Sequence, residues 1–306
     1  MRKTKKERQV LKARKPRAVP ALPYFESDMA KERCPAEKSG KGIFHAREET
    51  ASFLLTRTVI TDKEAAATVG RPIGNYETLC FASPALLTAK DRRVIEEKLS
   101  DLLLAAVPAE ACRILVVGLG NKELTVDSVG PRVAEGVTAT AALEAAMPAL
   151  FADGRRRVSV FCPGVFGETG MESTALIKAA VSLSRAEAVI AVDAMATATP
   201  SHLLRAVEIA DTGTVPGAGV GNRRKAVDAS TVGVPVTAVG IPTMMRARPY
   251  LRRALTDFGV EKSKAEAYAE RSGDLLVIPG GLDEGTAVLS RILSRAIERA
   301  FGFAEE

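Results

Sequence analysis

The chain has no tryptophan, two histidines and four cysteines among its 306 residues. His45 and His202 are too few for a histidine-rich metal site, and Cys34, Cys80, Cys112 and Cys162 show no CxxC spacing. Neither a zinc site nor a disulfide framework is expected, and scattered free thiols fit a reducing compartment. Three of the cysteines lie in apolar contexts, where buried thiols are common. No apolar stretch reaches the roughly 18 residues of a membrane helix. No apolar core follows the basic start, as a secretory signal would require, and a Lys-rich, Ser-poor start argues against a transit peptide. The expectation is a chain of a reducing compartment with no cofactor, no metal and no membrane segment.

What is present in excess is positive charge, and it sits in one place. Residues 1–20 hold nine Lys/Arg against one Glu, whereas the rest of the chain has 34 basic and 36 acidic residues. The net charge of +6 therefore belongs to a tail and not to the body of the fold. Such a tail suits contact with DNA or acidic proteins, and its composition is equally that of a solvated extension. Apolar residues at 46% with 26% charged support a large core.

The pattern downstream is α/β. A flexible lead-in is expected up to about Gly42. Strands are expected at 53–61, 76–81, 113–119, 157–162, 188–193, 204–210, 233–242 and 275–279. Helices are expected after Thr61 or Asp62, at 88–107, 131–150, 172–185, 246–256, 263–271 and 283–301. Strands alternating with helices predict a three-layer α/β/α fold, phosphorylase/hydrolase-like, around a mainly parallel twisted sheet.

Two apolar runs deliver an aspartate: RILVVGLGNKELTVDSVGP carries Asp127, and AVIAVDAMATATP carries Asp193. Such continuous runs suit strands buried on both faces, and open α/β sheets place their sites at carboxyl ends of strands. A carboxylate behind AVIAV is costly unless paired, hydrogen-bonded or protonated. If the two are adjacent, they can share a proton and work as an acid/base pair. Asp127 also reads as a helix N-cap or a loop residue. Glu168, Glu172 and Asp211 are further acids near strand ends, Glu172 also suiting the first turn of a helix. GLGNKE has Glu123 where a dinucleotide fingerprint needs its third glycine, and PGAGVGNRRKA lacks the Walker pattern. Gly217, Gly219 and Gly221 suit a tight loop approaching a substrate chain, or a turn without a ligand. There is no GxSxG elbow, and a Cys162–His202 pair would rest on nearby strand ends alone.

The order VGLGN, TVDSVGP, PGVFGETGMES, AVDAMA, IADTGTVPGAGVGNRRKA and VGIPT resembles the germination protease (spore endopeptidase) family across roughly residues 51–245. The resemblance implies an endopeptidase that degrades small acid-soluble spore proteins, in the cytoplasm of the forespore or spore core. It implies a fold like that of hydrogenase-maturation proteases, with Asp127 and Asp193 as the catalytic pair. Asn121, Glu172, Asp211, Gly219 and Gly221 then fall to substrate binding or loop support. It also implies a homotetrameric zymogen. FESDMAKE looks like the family's pro-segment junction, so processing is expected between Asp28 and Met29. That divides the chain into a tail and pro-segment, 1–28, and a single peptidase domain, 29–306. The basic start departs from the family pattern. Three rivals remain: a metal-assisted maturation-type protease, a non-catalytic spore-protein or DNA binder, and a nucleoside phosphorylase-like enzyme.

Overall fold

A computed structural model describes residues 27–34, 42–215 and 225–302. The basic residues 1–20 and the loop glycines Gly217, Gly219 and Gly221 lie outside the described residues.

Short helix α1 (Ala30–Arg33) precedes an antiparallel hairpin of β1 (Ile43–Glu49) and β2 (Phe53–Ile60). Asp62 caps α2 (Lys63–Val69) by accepting the Ala65 amide hydrogen, and Gly70 ends it in a left-handed turn. After β3 (Gly74–Phe81), a reciprocal Thr88–Asp91 capping box starts α3 (Ala89–Ala106). Next come β4 (Arg113–Gly118), α4 (Val129–Glu135), β5 (Arg157–Phe161), α5 (Phe166–Thr169), α6 (Ser173–Ser184) and β6 (Ala188–Ala196). The chain continues through β7 (Ala206–Ala210), α7 (Ala229–Val232), β8 (Val236–Arg246), α8 (Ala247–Asp257) and α9 (Lys262–Ala269). It then forms β9 (Leu276–Val277) and α10 (Leu282–Phe301).

The strands form one sheet in the order β1-β2-β3-β7-β8-β6-β4-β5, with β9 added to β8. Pairs β4–β5, β4–β6 and β6–β8 are parallel, and the other five are antiparallel. The fold is α/β, but the expected mainly parallel sheet is corrected to a mixed one. A parallel pair needs a long crossover. The β1–β2 link is a tight turn, and the β6–β7 link carries only a 3-10 turn at Pro200–His202, so these strands return antiparallel.

The parallel block explains its own sequence. Ile114, Val116, Ile190 and Val192 pack with Leu99 and Leu103 of α3 and with Ile292 and Leu293 of α10. The alternate residues Leu115, Val117, Val189 and Ala191 meet Ile177 and Val181 of α6 and Val232 of α7. Covering both faces removes any polar alternation, which is why these strands read as unbroken apolar runs.

Several boundaries differ from expectation. The helix expected at 131–150 stops at Glu135, and 3-10 turns follow at Thr140–Leu143 and Pro148–Phe151. Gly136 lies against Ser294 of α10 with no room for a Cβ, and Pro148 cannot donate a helical hydrogen bond. The 188–193 strand runs on to Ala196, so Asp193 lies inside β6 and not at its end. Strand 275–279 shrinks to two residues. Among the cysteines only Cys34 is buried; Cys80 is half-buried, and Cys112 and Cys162, next to strand ends, are exposed. Within the expected flexible lead-in, residues 27–34 are instead built onto the sheet, and residues 21–26 and 35–41 lie outside the described residues.

Candidate active site

Asp127 sits in a 3-10 turn, Thr125–Asp127, that follows the end of β4. Its Oδ2 accepts the backbone N–H of Asn121 at 2.8 Å, which closes the loop GLGN over the carboxylate. The glycines make that closure possible. Gly120 has φ +115°, and a Cβ there would strike the Asp127 carbonyl. Gly130 lies so close to the carbonyls of Leu119 and Val192 that a Cβ there would overlap both. What resembles a nucleotide fingerprint is thus a device for packing the start of α4 against the end of β4. The side chain of Asn121 turns away and accepts the Glu123 amide at 2.8 Å.

A second fastening comes from β8. The β6–β8 register shifts between Met195 and Ala196, so Met195 pairs with Pro242 and Ala196 with Met244. The extra residue, Thr243, donates its hydroxyl to the Val126 carbonyl at 2.7 Å. The turn carrying Asp127 is therefore tied to β8 and to the loop that leaves β4, and β8 and β4 are the two strands flanking β6. Leu119 also donates its amide to Val192, the residue before Asp193, at 2.8 Å. The two aspartates come to the same end of the parallel block.

Asp193 is 7% exposed and occupies the face of β6 that also carries Ala191 and Met195. Its cross-strand partner is Gly240 of β8, which pairs on its other side with Glu208 of β7, and Glu208 pairs with Thr78 of β3. A row of Thr78, Glu208, Gly240 and Asp193 thus crosses the sheet on one face. Gly240 leaves a gap between the two acids that the Met195 side chain covers. Glu208 Oε1 meets Arg71 at 2.9 Å, and its Oε2 accepts the Ala30 amide and the Thr78 hydroxyl at 2.8 and 3.2 Å. Burial pushes the Glu208 carboxyl up, with Arg71 opposing. The sequence reading passed over Glu208, although AVEIA carries the same signal as AVIAVDA: an acid inside an apolar run.

The same face is overlaid by residues 27–34. Asp28 donates its amide to the Ala196 carbonyl and takes the Ala196 amide on Oδ2, both at 2.9 Å. Met29 is fully buried against Met195 and Ala206. Glu32 Oε1 meets His202 Nδ1 at 2.5 Å and the Thr197 hydroxyl at 2.6 Å, while Oε2 accepts the Ala198 amide at 2.7 Å. Burial works against both charges. Hydrogen bonds from His202, Ser27, Thr197 and Ala198 nevertheless hold Glu32 at about 2, and contacts with Cys80 and Glu32 raise His202 to about 9. His202 thus has an acid partner that local sequence could not reveal, 170 positions away. The weak Cys162–His202 pairing is corrected: the ring meets Glu32 and Cys80 instead.

The remaining candidates stand elsewhere. Asp211 is exposed and holds the start of β3 by accepting from the Asn75 amide and side chain at 2.9 and 2.6 Å. Glu172 occupies the N-cap position of α6 without a side-chain capping bond. Glu168 closes its own turn on the Val165 amide. Among the described residues no group of three or more His, Cys, Asp or Glu is arranged to hold a metal ion.

Comparison with known proteins adds a lineage to this geometry. A family model described as germination protease matches residues 24–263. The chain is 36% identical to the germination protease of Caldanaerobacter subterraneus subsp. tengcongensis over 69% of its length and 65% of the relative's. It is 36% identical to that of Bacillus subtilis over 72% of its length and 60% of the relative's. Against the Clostridium perfringens germination protease the identity is 30%, over 84% of this chain and 87% of the relative. The match thus spans less than two thirds of the length of the first two relatives. With its family-model match covering both aspartates and the segment overlaid on Asp193's face, the chain belongs to the germination protease family.

Proposed function

We propose that the chain is an endopeptidase that degrades small acid-soluble spore proteins during germination, with Asp127 and Asp193 as its acid/base pair. The observation that carries this is the double fastening of the Asp127 turn, by the Asn121 amide and the Thr243 hydroxyl, beside the point where Leu119 bonds Val192, the residue before Asp193. Two carboxylates sharing a site cannot both ionise cheaply near neutral pH. One therefore keeps a proton and polarises the scissile carbonyl, while the other takes a proton from the attacking water. The apparent titration belongs to the pair. Incubation with a small acid-soluble spore protein tests the reading, since binding without cleavage after pro-segment removal would reject it.

Residues 1–28 act as a tail and pro-segment ahead of one peptidase domain, with processing between Asp28 and Met29. The docked state of that junction supports a zymogen, because a peptide bond flanked by a fully buried Met29 is not open to a second protease. Undocking must precede the cut. Mass spectrometry of the matured protein should find Met29 as the new first residue, and a start far from it would refute the assignment. The family reading also carries a homotetramer and a place in the spore core, the former open to sedimentation analysis.

A further inference from the structure

The cluster around Cys80 plays no part in the proposed peptide chemistry. Cys80 is the β3 residue paired with Ala206 of β7, on the face overlaid by α1. Lys31 Nζ lies 3.6 Å from its sulfur, and His202 hydrogen-bonds it from the turn after β6. His202 in turn meets Glu32 at 2.5 Å. Thiol, imidazole and carboxylate therefore stand in series, with a lysine ammonium on the thiol as well. Two cations beside a half-buried sulfur favour the thiolate, the form that reacts with electrophiles. Burial pushes the thiol up, but His202 and Lys31 outweigh it and the net direction is downward. Glu208 and Arg71, which engage each other, also face α1, as do Asp193 on the same face of the sheet and the Asp28–Arg33 pair of the segment itself.

We propose that Cys80, with His202 and Glu32, is a thiol modification site for small aliphatic disulfides, and that its modification releases the segment 27–34. In the reaction the Cys80 thiolate attacks one sulfur of the disulfide and forms a new S–S bond. The old S–S bond breaks, and the departing thiolate takes the proton from the His202 imidazolium. Nothing else is consumed. The added group must occupy space now filled by Lys31 and by Met29, which packs beside Cys80. It also removes the anion that, with Glu32, holds the imidazolium in place.

The test uses the full chain and 2-hydroxyethyl disulfide, with iodoacetamide to measure thiolate character by site-resolved mass spectrometry. Cys112, which is exposed, serves as the internal standard. At pH 6.5, Cys80 should alkylate at least about tenfold faster than Cys112, since an ordinary thiol is only about 1% ionised there. Its rate should reach half-maximum below about pH 8.5, the midpoint of an ordinary thiol, a measurement that needs no variant. His202→Gln should bring the Cys80 rate down towards that of Cys112. The mixed disulfide should speed trypsin cleavage after Lys31 and Arg33, dithiothreitol should reverse this, and Cys80→Ser should show no such response. A Cys80 no faster than Cys112 would overturn the site, and an adduct that leaves cleavage unchanged would overturn the release.

Discussion

Asp193 and Glu208 are chemically alike and lie in the same row, and each accepts a backbone amide, Asp193 that of Ala194 and Glu208 that of Ala30. Glu208 has a guanidinium, an amide and a hydroxyl on its carboxylate, so its part is to bind the N-terminal segment to the sheet. Removing the cation should expose how much that costs. Arg71→Met leaves Glu208 buried without its ion partner, and loss of one member of a buried pair typically costs about 3–5 kcal/mol. A fall in the thermal midpoint is expected, and an unchanged midpoint would show that the pair contributes nothing. Asp193 was legible because a charge in AVIAVDA has no cheap bland explanation. Glu208 in AVEIA was equally legible and was missed. The Glu32–His202 pair was not legible, because no local rule joins residues separated by 170 positions.

Helix α1 is too short to be stable alone and is held by its tertiary contacts. Its ion pair makes the docking pH-dependent. His202 rises from 6.5 to about 9, so its contribution is complete below pH 6.5 and is lost as pH climbs through about 9. Glu32 falls from 4.5 to about 2, so its contribution is complete above pH 4.5 and is lost as pH drops through about 2. The pair therefore supports the segment fully between pH 4.5 and 6.5. The gap in thermal midpoint between the natural chain and Glu32→Gln should be widest in that window and close towards pH 9 and pH 2. A gap independent of pH would refute the account. Elements with their own punctuation, such as α2 between Asp62 and Gly70, were readable to within a residue or two. The short turns at Thr140–Leu143 and Pro148–Phe151 were not, because α10 cuts α4 short through the contact of Gly136 with Ser294.

Across the whole molecule the sheet divides into two parts with different logic. Among the parallel strands, β4, β6 and β8 obey the apolar-run rule, with Asp193 inside β6 and Asp127 in the turn after β4, so the sequence pointed to them. Among the antiparallel strands only β1 and β2 are joined by a tight turn; α2 separates β2 from β3, β3 meets β7 from a distant part of the chain, and the strand chemistry of FLLTRTVIT does not specify such neighbours. Their role is to extend the floor on which residues 27–34 lie. The central claim is that Asp127 and Asp193 act together on a peptide bond. The direct test is the cleavage rate of a small acid-soluble spore protein by the matured chain and by its Asp127→Asn and Asp193→Asn variants, with folding followed by circular dichroism. Each variant should stay folded and lose about 10²–10⁴ in rate, as loss of a general acid or base does. A folded variant that cleaves at near-normal rate would contradict the pair.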